Sequence, residues 1–430
     1  MNVCVIGLGY VGLPTAALAA SAGHTVLAYD TDAVLREALR AGRAIVSDDV
    51  AGLLASAFRD ERFVVCDCVE SADAYIVCVP TPTAGGRPDM RHVETALAGV
   101  AAVVSSGQLI VLESTVPPGT TERVVRQALR AAGKGFLNVH VSHAPERILP
   151  GDVVRELREN DRIVGGRTRE DAEKTRELYA AFVSGDIHLT DLRTAEFVKV
   201  IENTYRDVNI AFANELALFC EEIDIDVWQA IALANNHPRV NILKPGPGVG
   251  GHCIPVDPLF LADQNPFATE LIQASRRINE RMPNLIVRRV VSLVGEGDGK
   301  RKVAILGASY KANVDDVRES PARRIRDLLD ERGFRTSVYD PLARLPHAAR
   351  SVGQAVEDSD AILLAVDHDA FRDIDPAAVA PIVRSRVLID CHNFFPERTW
   401  LAAGFRVYGL GRGSHFALPQ ASVRQQSNSA

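Results

Sequence analysis

No apolar run in this 430-residue chain approaches the roughly 20 residues that span a bilayer. There is also no basic leader before the first apolar run, so the expected compartment is the cytoplasm. Positive charge is not in excess: 48 Lys and Arg against 55 Asp and Glu leave a net charge of −7, whereas a nucleic-acid-binding protein would carry a basic face. The seven cysteines (Cys4, Cys66, Cys68, Cys78, Cys220, Cys253 and Cys391) lack a pairing pattern and read as reduced thiols, not as a disulfide framework. Cys66 and Cys68 stand two apart in a run read as a strand, so both would share one sheet face. No His or Cys pair accompanies them, and no metal site is expected. The chain that remains is 47% hydrophobic and 24% charged, which suits a soluble globular protein of two or three domains.

Its most unusual stretch is Gly246-Pro247-Gly248-Val249-Gly250-Gly251-His252-Cys253-Ile254-Pro255-Val256-Asp257-Pro258. Four glycines and three prolines in thirteen residues exclude a regular helix. A cysteine on such a loop, four residues before a carboxylate, has the setting of a positioned nucleophile. A buried thiol in a tight loop is the other reading, and the loop alone leaves both open.

At the N-terminus, the apolar run Val3–Ile6 leads into Gly7-Leu8-Gly9-Tyr10-Val11-Gly12, an alanine-rich helical pattern follows, and a second strand closes on Asp30, eighteen residues beyond Gly12. This is the β–α–β context in which G-x-G-x-x-G brings a pyrophosphate to a helix N-terminus. Asp30 is expected to accept from the adenosine ribose and to repel a 2′-phosphate, which favours NAD over NADP. Two further strands end in loops at the same sheet edge, Pro80-Thr81 and Glu113-Ser114-Thr115, and both are expected to face the cofactor. Thr120 or Thr121 reads equally well as an N-cap. Glu146 follows another strand and is a candidate base; Arg162–Gly166 reads as one more strand.

From Thr194 to about Glu222 the chain has no glycine or proline and reads as a helix. Lys199 and Asn203 share one face of it. A second helix is expected from Thr269 to about Val294. The run Gly295–Lys300 reads as a linker, and from Lys302 the strand–helix alternation begins again without the glycine fingerprint. Lys311 and Arg318 near its first strand suit phosphate groups; surface charges paired with Asp315 and Glu319 are the alternative. The expected organisation is two Rossmann-like doubly wound α/β domains joined by a central helical dimerisation region: 1–190 for NAD, 191–298 with the cysteine loop, 299–415 for a different ligand, which the resemblance described below implies is a UDP-sugar, and a disordered tail 416–430.

One chemistry uses all of these parts. A primary alcohol is oxidised to an aldehyde, a thiolate traps it as a thiohemiacetal, a second oxidation gives a thioester, and water releases the acid. Cys253 would be the nucleophile. Lys199 would stabilise the oxyanion and Asn203 would add a hydrogen bond. Asp257 would hold Lys199 or activate a water, and Glu146 would act as base with a water held by Thr115.

Gly7-x-Gly9-x-x-Gly12, Glu113-Ser114-Thr115, Pro145-Glu146-Arg147, Lys199-x-x-x-Asn203, Gly250-Gly251-His252-Cys253 with Asp257, and Arg318-Glu319-Ser320 together resemble the nucleotide-sugar 6-dehydrogenase family, from Gly7 to about Asn393. The resemblance implies the roles given above. It also implies cofactor contacts at Tyr10, Val11 and Arg318, and a sugar contact from Arg239 to the neighbouring subunit. Substrate contacts are implied at Arg147, Ile148, Leu149, Arg206, Asn241, Gly250 and Lys311, and a homodimer, or a dimer of dimers, built on the central helix. The segments Asn160–Gly166, Tyr205–Leu216 and His237–Leu243 are most similar to the UDP-N-acetyl-D-mannosamine branch, and UDP-N-acetylglucosamine and UDP-glucose are the alternatives within the family. Single-hydride β-hydroxyacid dehydrogenases share the Lys-x-x-x-Asn helix but need no thiol. A non-catalytic nucleotide-sugar sensor would be expected to have lost a catalytic group, and every matched position is filled.

Overall fold

The computed structural model of the chain describes residues 1–43, 48–148 and 152–412; Leu149 and the tail from 416 lie outside them. The described residues form two compact units: Met1–Asn203 with Leu259–Ala268, and Thr204–Pro258 with the chain from Thr269. Among the described residues no helix is long and apolar enough to cross a membrane.

The first unit is built on one eight-stranded sheet. Its strands are β1 (Asn2–Ile6), β2 (Thr25–Tyr29), β3 (Phe63–Val65), β4 (Ala74–Val77), β5 (Leu109–Leu112), β6 (His140–His143), β7 (Arg162–Gly166) and β8 (Ile187–Asp191), in the order β8-β7-β6-β5-β4-β1-β2-β3. The strands from β3 across to β6 are parallel. β7 joins β6 antiparallel, with Ser142 opposite Gly166, and β8 lies parallel to β7. Every residue of β4 and β5 is buried, which is why both read as continuous apolar runs and not as alternations. Along β1 the faces alternate: Val3 and Val5 pack with Leu13 and Ala16, while Cys4 and Ile6 pack with Val93 and Leu97. β3 stops at Val65, so Cys66 and Cys68 do not share a strand face. Cys66 is buried, and exposed Cys68 donates to Glu70.

Strand order reverses between β1 and β4, which opens the crevice at their carboxyl ends where nucleotides bind. The helices that matter to function are α1 (Gly12–Ser21), α2 (Thr120–Ala131), α3 (Leu192–Ile223), α4 (Asp257–Gln264), α5 (Glu270–Val294) and α6 (Pro321–Glu331). The 32 residues of α3 run from the first unit into the second.

The second unit has a five-stranded, all-parallel sheet: β9 (Lys302–Leu306), β10 (Arg335–Tyr339), β11 (Ala361–Leu364), β12 (Val387–Asp390) and β13 (Arg406–Gly409), ordered β10-β9-β11-β12-β13. One face packs on Ala213 and Ala217 of α3 and on Met282 and Ile286 of α5. The other packs on Phe371, Trp400 and Phe405.

The two units share one local design. Gly7 and Gly307 both have positive φ, 92° and 89°. Gly7 N–H donates to Tyr29 at 2.9 Å and Gly307 N–H to Tyr339 at 2.8 Å. The next amide in each case, Leu8 or Ala308, donates to the carboxylate that closes the second strand, Asp30 or Asp340, at 2.7 Å.

Candidate active site

In the first unit the glycine turn is shaped for close approach. A Cβ on Gly7 would meet the Cys78 carbonyl oxygen at 2.4 Å and one on Gly12 would meet the Gly7 carbonyl at 1.9 Å, so both must be glycine. A Cβ on Gly9 would meet nothing within 4 Å. That open cradle lies before α1, whose N-cap Val11 supplies no side-chain bond to the first-turn amides. The arrangement fits a dinucleotide pyrophosphate. Half-buried Asp30 accepts from Leu8 and Asp32 amides and keeps lone pairs for ribose hydroxyls. Tyr10 and Pro80 are exposed, and Val11, Thr81 and Thr115 half-buried, on the loops that follow β1, β4 and β5.

Beneath this turn lies a buried polar cluster. Glu113 accepts from Cys78 Sγ at 2.7 Å, Arg162 Nη1 at 2.6 Å and Tyr179 Oη at 3.3 Å. Arg162 also stands 4.3 Å from the centre of the Tyr179 ring. Burial, reinforced by the Glu113 charge, pushes the Cys78 thiol and the Tyr179 phenol well up, so both stay protonated donors. The neighbouring Ser114 Oγ accepts from Val79 N–H at 2.8 Å. The cluster ties β7 to β5 and β4 under the glycine fingerprint. The sequence reading picked out the motif but not this role of Glu113; the signal was a carboxylate directly following four apolar strand residues.

Lys199 and Asn203, four apart on α3, are both buried. Lys199 Nζ is 3.2 Å from Glu146 Oε1, and Glu146 Oε2 accepts from Ile148 N–H at 2.8 Å. Arg147 is committed to Glu202 of α3 by two hydrogen-bonding contacts and donates to the Asp161 carbonyl. The start of α2 is capped neither by Thr120 nor by Thr121. Its N-cap is Gly119, and Gly119 and Thr121 amides donate to the Glu196 carboxylate of α3. A carboxylate can accept two amides at a helix start, which a hydroxyl cannot do as strongly. His143 lies beside Thr121, with its pKa lowered by burial to about 3, so the ring is neutral.

In the second unit the glycine loop presents Cys253 as an exposed thiol. A Cβ on Gly250 would strike the Glu319 carbonyl at 2.6 Å, and one on Gly251 would strike the Tyr310 ring at 3.0 Å. The loop backbone therefore lies directly on the Tyr310–Pro321 segment. The Cys253 carbonyl accepts from Val256 and Asp257 amides, a turn that starts α4 one residue before Pro258. Asp257 is buried. Arg318 grips Asp316 through two bonds, Nε–Oδ1 at 2.9 Å and Nη2–Oδ2 at 2.7 Å, and not Asp315 or Glu319. Its guanidinium pKa is raised, first by that pair and further by the nearby Tyr310 and Cys253 charges. Arg206 is half-buried on α3, whereas Arg239, Asn241 and Lys311 are exposed. Arg239 Nη2 lies 3.5 Å from His237 Nε2.

The chain matches three models of one family end to end: the UDP-glucose/GDP-mannose dehydrogenase family NAD binding domain over 1–183, central domain over 193–281 and UDP binding domain over 304–397. It belongs to that family, and it is an NAD-dependent nucleotide-sugar dehydrogenase. A UDP-N-acetyl-D-mannosamine dehydrogenase of Methanocaldococcus jannaschii is 41% identical over 96% of this chain and 97% of its own. An NDP-N-acetyl-D-galactosaminuronic acid dehydrogenase of Ralstonia nicotianae is also 41% identical, over 92% and 97%. Among solved structures, a UDP-D-ManNAc dehydrogenase of Pyrococcus horikoshii superposes with a TM-score of 0.90 at 38% identity, covering 96% of this chain and 99% of its own.

Proposed function

We propose that this chain oxidises the C6 hydroxymethyl of UDP-N-acetyl-D-mannosamine to the carboxylate, withdrawing four electrons through a covalent intermediate on Cys253. The Gly7–Gly12 turn and Asp30 would hold NAD, which would supply the hydride acceptor for each of the two oxidations. The Cys253 thiolate adds to the aldehyde carbon, which converts the second oxidation into that of a thiohemiacetal alkoxide. The resulting thioester is cleaved by water, returning the thiol and releasing the acid. Lys199 and Asn203 act on the oxyanion of both tetrahedral species. Glu146 takes the proton of the hydrolytic water, with Thr115 ordering it, and Asp257 supports the Lys199 charge. Arg147, Ile148, Leu149, Arg206, Arg239, Asn241, Gly250 and Lys311 contribute to the sugar nucleotide, and Arg318 to the cofactor. The proposed division of labour is 1–190 for NAD, 191–298 for the thiol and assembly, and 299–415 for UDP.

The observation that carries the chemistry is the exposed Cys253 thiol on a loop with no room for side chains at Gly250 and Gly251. The manno-configured substrate rests on the near full-length relatives that bear that name. The Ralstonia relative, equally identical, makes a galacto-configured sugar the second reading. The deciding assay is NADH formed per limiting sugar in excess NAD, across UDP-N-acetylmannosamine, UDP-N-acetylgalactosamine, UDP-N-acetylglucosamine and UDP-glucose. Two NADH per sugar, fastest with the manno compound, supports the proposal, and one per sugar removes the thioester route.

We further propose a cytoplasmic homodimer formed through α3. Tyr205, Phe212 and Phe219 recur every seven residues on one exposed stripe, with Phe212 and Phe219 48% and 56% accessible.

A further inference from the structure

Within the second unit, a buried chain of side-chain amides and charges runs from α5 through α3 to the first residue of the cysteine loop. Arg276 Nη1 donates to Asp207 Oδ1 at 2.6 Å, and Asn279 Nδ2 donates to the same oxygen at 2.8 Å. Asn214 Nδ2 donates to Asn279 Oδ1 at 2.9 Å, and Gly246 N–H donates to Asn214 Oδ1 at 2.8 Å. Asp207, Asn214, Arg276 and Asn279 are all buried, so water does not substitute for these partners.

The chain has one possible direction. An ionised carboxylate only accepts, so Asp207 obliges Asn279 to present its NH₂. Asn279 is then left with its oxygen facing Asn214, which obliges Asn214 to present its own NH₂ there. The oxygen of Asn214 is thereby committed to the Gly246 amide. The Asp207 carboxylate, held by Arg276, and the Asp207 main-chain carbonyl, which accepts from the same Asn279 Nδ2 at 3.0 Å, thus set the orientation of an amide two side chains away, in agreement with the Gly246 N–H that can only donate. Asp207 and Asn214 are seven apart on α3, and Arg276 and Asn279 three apart on α5, so each pair shares a helix face. The same helix supplies a second support. Pro283 of α5 places its Cδ 3.4 Å from where a Cβ on Gly248 would stand.

We propose that Asn214, oriented by Asn279 and Asp207, is a positioning residue for Cys253: it fixes the entry of the loop at Gly246, seven residues before the thiol. Asn214 does not touch substrate in this role; it acts through the backbone. The inference rests on the reading of Cys253 as the nucleophile only for its effect on turnover, and not for its effect on the loop.

The test uses the full-length enzyme. For wild type, Asn214→Ala and the isosteric Asp207→Asn, it follows ligand-free alkylation of Cys253 by iodoacetamide across the thiol titration range, together with kcat, KM and melting temperature. Misplaced reacting groups cost large factors, so the expected result is a fall in kcat of about tenfold or more in both variants, with KM for NAD changed by less than about twofold, and a shifted alkylation profile. A lower melting temperature with unchanged kcat and unchanged alkylation would overturn the proposal. Amide hydrogen exchange on the wild-type enzyme decides the matter even where a variant fails to fold. The Gly246 amide is expected to be protected like the interior of α3, and exchange at the rate of a surface loop would sink the idea. A parallel Cys253→Ser enzyme that still forms acid would remove the nucleophile reading while leaving the loop measurements valid.

Discussion

The Lys199 ammonium lies 3.2 Å from the Glu146 carboxylate, bringing together two residues 53 positions apart. The other Glu146 oxygen holds the Ile148 amide, so the carboxylate is fixed at both ends. Glu146→Gln keeps the Ile148 bond and removes the proposed base. Its expected behaviour is a burst of NADH per active site followed by turnover slowed by about 10²-fold, because loss of a general base delays hydrolysis and not oxidation. Rapid-mixing fluorescence of NADH shows this directly; a slowed burst would assign Glu146 to the oxidative half instead.

Asp30 is proposed to set cofactor choice. Asp30→Asn retains an acceptor for the Leu8 amide and loses the negative charge. NAD affinity is expected to fall by about 1 kcal/mol or more, as for loss of a hydrogen bond to a charged group, and NADP is expected to become a measurable substrate. The ratio of kcat/KM values for the two cofactors is the readout.

His143 makes the fold acid-sensitive. Its pKa is about 3 when folded against 6.5 ordinarily, because burial disfavours the cation. Between those values the unfolded chain binds a proton that the folded one refuses, so stability falls as pH drops through that window and is intact above it. The slope is at most about 1.4 kcal/mol per pH unit for one proton. His143→Gln is expected to flatten the loss of melting temperature between neutral pH and pH 5, as measured by calorimetry.

The α3 stripe predicts the assembly. Phe212→Arg places a charge in the centre of the exposed apolar row and is expected to convert dimer to monomer by light scattering. A wild-type enzyme that is already monomeric would dismiss the interface.

Much of the fold was legible because its signals are local. Gly7, Gly12 and Asp30 are close in sequence and each answers to one backbone requirement. The unbroken α3 and the loop around Cys253 announce themselves by the absence and the excess of glycine and proline. What stayed hidden depends on contacts between distant residues. Glu113 is joined to Arg162 across 49 positions, and Glu196 to Thr121 across 75. No spacing rule links such pairs, so the nearest threonines stood as candidate caps of α2 beside their reading as cofactor-facing residues. Cys66 and Cys68 misled for a related reason: the apolar run continues where the strand ends at Val65. Lys311 and Arg318 looked alike as charges near a strand end, yet only Arg318 has a carboxylate grip, on Asp316.

The closing carboxylates of the two units have diverged in availability. Asp340 accepts from four amides, of Ala308, Ser309, Leu342 and Ala343, and faces the His368 ring. Burial alone would raise its pKa, but these bonds prevail and hold it far below the carboxylate range. Asp30 carries two such amides and remains half open. The duplicate turn has therefore been sealed with the protein's own donors. At that strand end the carboxylate lone pairs are already engaged, so of the two turns only that of Asp30 still offers a carboxylate acceptor to an incoming ribose.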